Sequence, residues 1–172
     1  FARDLVGFFS HVAPSRSEIF DTEKFDTLRS LAFFRNFSDV ELWEVLRISE
    51  WRKVPELEYI LRDGESGRTF YIMAQGTVHV VKHGRLLSLL HRGDCFGEMA
   101  HLSERNFKRN TDVIAKNDVV LIEINPDALT HATAGCRSQF DDAFLRMLVK
   151  RLSMANTRIS HLLADQNKTE KE

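Results

Sequence analysis

Phe96-Gly97-Glu98-Met99-Ala100-His101-Leu102-Ser103-Glu104-Arg105-Asn106-Phe107-Lys108-Arg109-Asn110-Thr111-Asp112-Val113-Ile114-Ala115 is the stretch that decides how this 172-residue chain is read. Strand-like apolar runs border it, Arg85 to Leu90 before and Val119 to Ile124 after, yet its own middle is polar. Gly93 and Gly97 bracket a tight turn, and Gly97 has no Cβ to keep backbone away from a ligand. Glu98 to Leu102 is long enough for about one helical turn, whose first N–H groups have no partners within the helix. Such a turn receives anions. Arg109 opens a new β-like run, and its fork of donors suits a phosphate. An ionised Glu98 only accepts, so it suits a hydroxyl. An anion and a sugar hydroxyl held by one loop describe a nucleotide.

Taken singly, a Glu or an Arg is ordinarily a solvated surface charge. The surrounding pattern sets these two apart. Phe96-Gly97-Glu98-Met99-Ala100, followed by Arg109-Asn110-Thr111-Asp112-Val113, resembles the phosphate-binding cassette of the cyclic nucleotide-binding domain family, of catabolite activator and cAMP-dependent kinase regulatory subunit type. Asp63-Gly64-Glu65 and the run Phe70 to Val78 resemble that family's first hairpins, and Leu31 to Leu46 its opening helix. The resemblance covers roughly Leu31 to Leu163. It implies that Glu98 binds the ribose 2′-hydroxyl and Arg109 the cyclic phosphate. Gly97, Met99, Ala100, Asn110 and Thr111 complete the implied ligand set, with Asn156 and Thr157 reaching the purine from a C-terminal helix. The implied ligand is cAMP or cGMP. Asn110 is neither of the residues that mark the two selectivities, and the reading leans to cAMP.

Departures from the family pattern have consequences of their own. His101 stands where members usually carry a Leu that relays binding, and Asp112 replaces a Ser or Thr. An inward Asp112 carboxylate would repel the phosphate; an outward one would not. Phe107 and Lys108 fill a slightly longer loop, and Lys108 offers a second cation.

From Ser49 to Asn125 short β-rich runs recur: Val54, Tyr59 to Leu61, Phe70 to Met73, Thr77 to Val81, Leu86 to Leu90, Val113 to Ala115 and Val119 to Ile124. Gly64, Gly67, Gly76, Gly84 and Gly93 punctuate them. Evenly spaced short strands suggest a jelly roll, and the absence of alternating helices disfavours a doubly wound sheet. The expected fold is mainly β with flanking helices: a double-stranded β-helix followed by a long C-terminal helix.

The expected organisation is a helical lead or linker at 1–30 and a binding domain at 31–165. Within that domain the β-roll occupies about 50–125 and two helices about 126–165, with a polar tail at 166–172. In the lead, Leu5, Val6, Phe8 and Phe9 form an apolar cluster before a break at Pro14 to Ser17, and Ile19, Phe20, Phe25, Leu28 and Leu31 follow at partly helical spacing. Ser38 and Glu41 form a capping box for a helix ending near Ser49. Asn125-Pro126-Asp127 is an N-cap followed by a proline at the first helical position. That helix should stop at Gly135. Ser138 should then cap a second helix, with Phe144, Leu148, Leu152, Ala155, Ile159 and Leu162 forming a heptad-like seam. The tail, Gln166 to Glu172, reads as frayed.

A formal net charge of −1 gives no pull toward nucleic acid or membrane surfaces. Cys95 and Cys136 form no disulfide framework, which fits a reducing cytosol, and Cys95 reads as a buried filler. No apolar run approaches the ~18 residues of a membrane span. The start at Phe1, with no initiator Met, reads as a cut inside a longer protein. The seven histidines lack zinc-ligand spacing, and no nucleophile triad or paired carboxylates stand out, so neither a metal, a cofactor nor catalysis is expected. Three functional classes remain. A cytoplasmic ligand sensor would act on an output domain and pair as a homodimer through the C-terminal helix. A degenerate domain would serve only dimerisation or protein interaction, as His101 and Asp112 suggest. A cupin-type enzyme is the weakest, for want of a histidine set.

Overall fold

The structure, a computed structural model, describes residues 16–103 and 108–169. The apolar cluster at Leu5 to Phe9, the Pro14 break and Phe107 lie outside the described residues. Helix α1 (Arg16–Ser30) leads into a short 3-10 turn (Ala32–Phe34) and then α2 (Asp39–Ile48). The capping box forms as its sequence requires. Ser38 Oγ accepts from Glu41 N at 3.4 Å, and Ser38 N donates to Glu41 Oε2 at 2.7 Å.

Eight strands follow: β1 (Ser49–Val54), β2 (Tyr59–Leu61), β3 (Phe70–Gln75), β4 (Thr77–Lys82), β5 (Arg85–His91), β6 (Cys95–Phe96), β7 (Asp112–Ala115) and β8 (Val119–Ile124). Their pairing is nested. The first strand pairs with the eighth, the second with the seventh, the third with the sixth and the fourth with the fifth, all antiparallel. Two four-stranded sheets result, β1-β8-β3-β6 and β2-β7-β4-β5. A long hairpin rolled upon itself in this way is the jelly roll that the strand spacing predicts.

The two-residue alternation of strands divides the apolar residues between two cores. From β3, Phe70, Ile72 and Ala74 face the helices, while Tyr71 and Met73 face the roll interior. From β8, Ile122 and Ile124 join the helical core and Val119 and Leu121 the interior. The helical core is aromatic. Phe33, Phe34, Phe37, Phe70, Phe140 and Phe144 are all buried there, many in edge-on pairs with ring centroids near 5 Å, such as Phe34–Phe37 at 5.1 Å and Phe70–Phe144 at 5.0 Å. The lead is part of this body, since Leu28 of α1 is fully buried in the same core.

The C-terminal helices depart from expectation. Asn125 caps α4 as predicted, its Oδ1 accepting from Asp127 N at 3.0 Å, but α4 ends at Leu129 (Pro126–Leu129). Helix α5 (Ala134–Thr169) then runs through both Gly135 and Ser138. Neither residue stops or caps a helix. Thr133 takes that role, its Oγ1 accepting from Cys136 N at 3.3 Å. Buried Glu44 of α2 fixes Thr133 in turn, accepting from its N–H at 2.7 Å and its hydroxyl at 2.8 Å. Gly135 lies in the first turn of α5, where a Cβ would sit 3.4 Å from Glu41 Oε1, an ordinary contact. The backbone of 166–169 is helical and continues α5, where fraying was expected from Gln166.

Candidate functional site

The cassette lies between β6 and β7. Gly97 leaves β6 with φ of +79° and caps α3 (Glu98–Leu102). A Cβ at Gly97 would meet Arg109 Nη1 at 3.0 Å and Thr69 O at 3.1 Å, so glycine is needed for both its conformation and its contacts. Among the described residues no side chain caps α3, so its first N–H groups have no side-chain partner. Asp63-Gly64-Glu65 holds the backbone of Arg109 in place. Gly64 N donates to Arg109 O at 2.7 Å and Arg109 N to Glu65 O at 2.8 Å. Asp112 belongs to this scaffold. Its Oδ1 accepts from Asp63 N at 2.8 Å, and it does not line the cavity described below, so its carboxylate is turned away from the anion position.

Arg109 is 6% exposed. Its guanidinium donates to Gly97 O at 3.0 Å and to Thr69 O at 2.6 Å, which leaves three of its five N–H groups. Among the described residues no carboxylate forms an ion pair with it. Burial pulls its pKa down, against the nearby Tyr71, Glu65 and Glu98. A buried cation held by carbonyls alone is stabilised by any anion that reaches it. Glu98, 3% exposed, is the second buried charge. Its Oε1 accepts from Arg151 Nη1 of α5 at 2.8 Å, while Oε2 has no protein partner among the described residues. Arg151 also donates to Cys95 O.

These groups floor a cavity of about 1050 Å³ between the roll and α5. Six of the expected residues line it: Gly97, Glu98, Met99, Arg109, Asn110 and Thr111. Ala100 is placed in α3, although the surroundings of its side chain lie outside what is described. Asn156 and Thr157 do not line the cavity. Both are exposed on another face of α5, where Thr157 Oγ1 donates to Ser153 O at 3.1 Å. Lys108 does not line it either; it is exposed and bridges to Ser66.

The α5 face that does line the cavity carries Met147, Lys150, Arg151, Met154, Ala155, Arg158 and Ile159. Sequence reasoning passed over it, although steps of three and four residues mark one helix face. The apolar seam read from the sequence divides instead. Phe144 is core, Ala155 and Ile159 line the cavity, and Leu152 and Leu162 are exposed.

His101 of α3 sits between Phe70 and Phe144, its ring centroid 5.3 and 5.6 Å from theirs. Its Nδ1 is buried without a partner. Burial lowers its pKa, with Arg68 adding to the effect and Asp141 opposing it. The ring thus joins the cassette helix to the start of α5, in the neutral form. Cys95 is fully buried and its thiol pKa is raised well above the usual range by burial, so it is an inert filler. Among the described residues no three His, Cys, Asp or Glu side chains are grouped to hold a metal.

A jelly roll with a helix-turn cassette between its sixth and seventh strands, a buried cation and a helix across the mouth defines a ligand-binding regulatory module. Residues 51–134 match the family model of the cyclic nucleotide-binding domain, and the chain belongs to that family. It is 30% identical over 124 residues to mouse cGMP-dependent protein kinase 2, which covers 68% of this chain and 16% of the kinase. The chain thus spans about a sixth of the length of such curated relatives. Among solved structures, Thermus thermophilus catabolite activator protein superposes with a TM-score of 0.64 at 24% identity, over 76% of this chain and 62% of that one. The regulatory domain of Toxoplasma gondii PKA, solved with cAMP, gives 0.62 at 20%, over 80% and 52%. At these identities the structural likeness is one of fold.

Proposed function

We propose that this chain is a cytoplasmic sensor domain that binds a cyclic purine nucleotide and passes its presence through α5 to an output domain of a larger protein. The observation that carries this reading is Arg109, a buried guanidinium that among the described residues has three unused N–H groups and no carboxylate partner, facing a nucleotide-sized cavity. The cyclic phosphate sits on Arg109 and the open N–H groups of α3. The ribose 2′-hydroxyl donates to Glu98 Oε2. Arg151 keeps Oε1, so one carboxylate joins ligand to helix. Binding then favours the arrangement with α5 seated, a population shift whose size is the affinity difference between seated and unseated forms. Relatives whose names carry cGMP-dependent or cAMP-linked kinase activity support a nucleotide as ligand and a kinase as one class of output.

The exposed apolar residues of outer α5, among them Leu145, Leu152 and Leu162, support pairing of two copies along this helix. No described helix is long and apolar enough to cross a membrane. A second reading, an interaction module that has lost its ligand, draws on Glu98 and Arg109 each already having protein partners.

Calorimetric titration with cAMP and with cGMP separates the two. The sensor gives saturable binding that Arg109→Ala weakens at least about a hundredfold, as expected when two charge-assisted hydrogen bonds are lost. Absence of heat and of thermal stabilisation at millimolar nucleotide would leave the interaction module.

A further inference from the structure

We infer that the cavity is also a site of reversible oxidation, where a hydroperoxide converts the Met99 thioether to a sulfoxide and so weakens anion binding. The consequence for affinity rests on the cyclic-nucleotide reading above. The chain holds six sulfur atoms, in four methionines and two cysteines. They fall into two sets. Met73, Cys95 and Cys136 are fully buried. Burial keeps both thiols protonated, raising Cys95 well above the usual range and pushing Cys136 up to about 12. Without thiolate character or exposure, neither reacts readily with peroxide. Met99, Met147 and Met154 all line the cavity. Met99 is 46% exposed and Met154 49%, whereas Met147 packs in part against the helical core. An oxidant arriving from solvent therefore meets its sulfur at the ligand site.

The three thioethers flank one tether. Met99 follows Glu98 in α3. Met147 and Met154 stand four residues before and three after Arg151, on the α5 face that carries Arg151 to Glu98. Met99 has a further contact. Asn110 Nδ2 donates to its Sδ at 3.9 Å, so the sulfur joins α3 to the residue after Arg109. A thioether is an apolar neighbour and a weak acceptor. Oxidation reverses both properties. A sulfur lone pair attacks the outer oxygen of the hydroperoxide, and the S–O bond forms as the O–O bond breaks. Sulfur gives up two electrons, and the reduced peroxide leaves as water or an alcohol. The new oxygen is a strong, partly negative acceptor in the cavity that Arg109 faces. It holds Asn110 more tightly, competes for the donors of Arg109 and repels a phosphate.

The test treats the folded chain with hydrogen peroxide, maps the added oxygen by peptide mass spectrometry, and titrates cAMP and cGMP calorimetrically before and after. Sulfoxide should form first at Met99 and Met154, later at Met147, and not at Met73, with both cysteines left as thiols. Affinity for the nucleotide should fall about tenfold, as for one hydrogen bond to a charged group. Methionine sulfoxide reductases A and B together should restore it. Met99→Leu, compared with itself before and after peroxide, should lose most of that fall whatever its starting affinity. Met154→Leu should keep most of it. Oxidation that spares Met99, a Met99 sulfoxide that leaves affinity unchanged, or a fall that persists in Met99→Leu would each overturn the proposal while leaving a nucleotide sensor intact. If neither nucleotide binds the untreated chain, both readings fall.

Discussion

The two parts of α5 are one continuous helix held in two different ways. Up to Phe144 it belongs to the aromatic core, where Cys136, Phe140, Ala143 and Phe144 are buried. From Leu145 onward its large apolar side chains are mostly exposed, and polar tethers join it to the roll: Arg151 to Glu98 and Cys95 O, and Arg158 to Leu87 O. Burial fixes the first part whatever the cavity holds. The second part rests on Glu98, the carboxylate to which the proposed function assigns the ribose, so that proposal makes it the part a ligand moves.

The largest effect expected of this division is on stability. Phe140→Ala should cost about 3–5 kcal/mol in denaturant unfolding, because a fully buried ring leaves a cavity among five other phenylalanines. A cost near zero would erase the distinction. Gly97→Ala comes next. Forcing a side chain into a left-handed φ costs roughly 1–2 kcal/mol, and the new Cβ presses on Arg109 Nη1, so nucleotide affinity should fall together with thermal stability.

Glu98→Gln should matter less to folding, about 1 kcal/mol, since Arg151 is a third exposed and its charge is screened. Its signature should be local: faster proteolysis of outer α5 with the core half unchanged. A pH effect of smaller size should come from His101, whose folded pKa lies below its unfolded value of about 6.5. The unfolded chain binds that proton more readily, so stability is full above about pH 6.5 and declines as pH falls through the folded pKa. His101→Leu should remove this part of the acid slope. Least of all, Leu152→Ala should alter stability by no more than about 0.5 kcal/mol, as for an exposed site.

Local chemistry was legible in the sequence, and tertiary chemistry was not. The Ser38 box, the Asn125 cap and the alternating runs write their structure in neighbouring residues, and all three formed where expected. The cassette pattern was legible for the same reason, since Gly97, Glu98 and Arg109 stand close in sequence and line one cavity. Gly135 misled because a glycine need not end a helix, and α5 runs through it once Thr133 has capped its first turn. Thr133 became a cap through Glu44, a residue 89 positions away. The α5 cavity face was missed because a helix pattern gives the period and not the azimuth. Asn156 and Thr157 lie only a few residues from Arg158, but rotated away from the cavity. Asp112 needed Asp63 to show which way it points.

Hydrogen exchange along α5, with and without saturating cGMP, tests the division most directly. The account predicts that residues 134–144 stay protected in both states, while exchange at 147–163 slows on adding nucleotide and fails to slow in Arg109→Ala. Uniform exchange along the whole helix, or outer-half protection that nucleotide leaves unchanged although it binds, would contradict it.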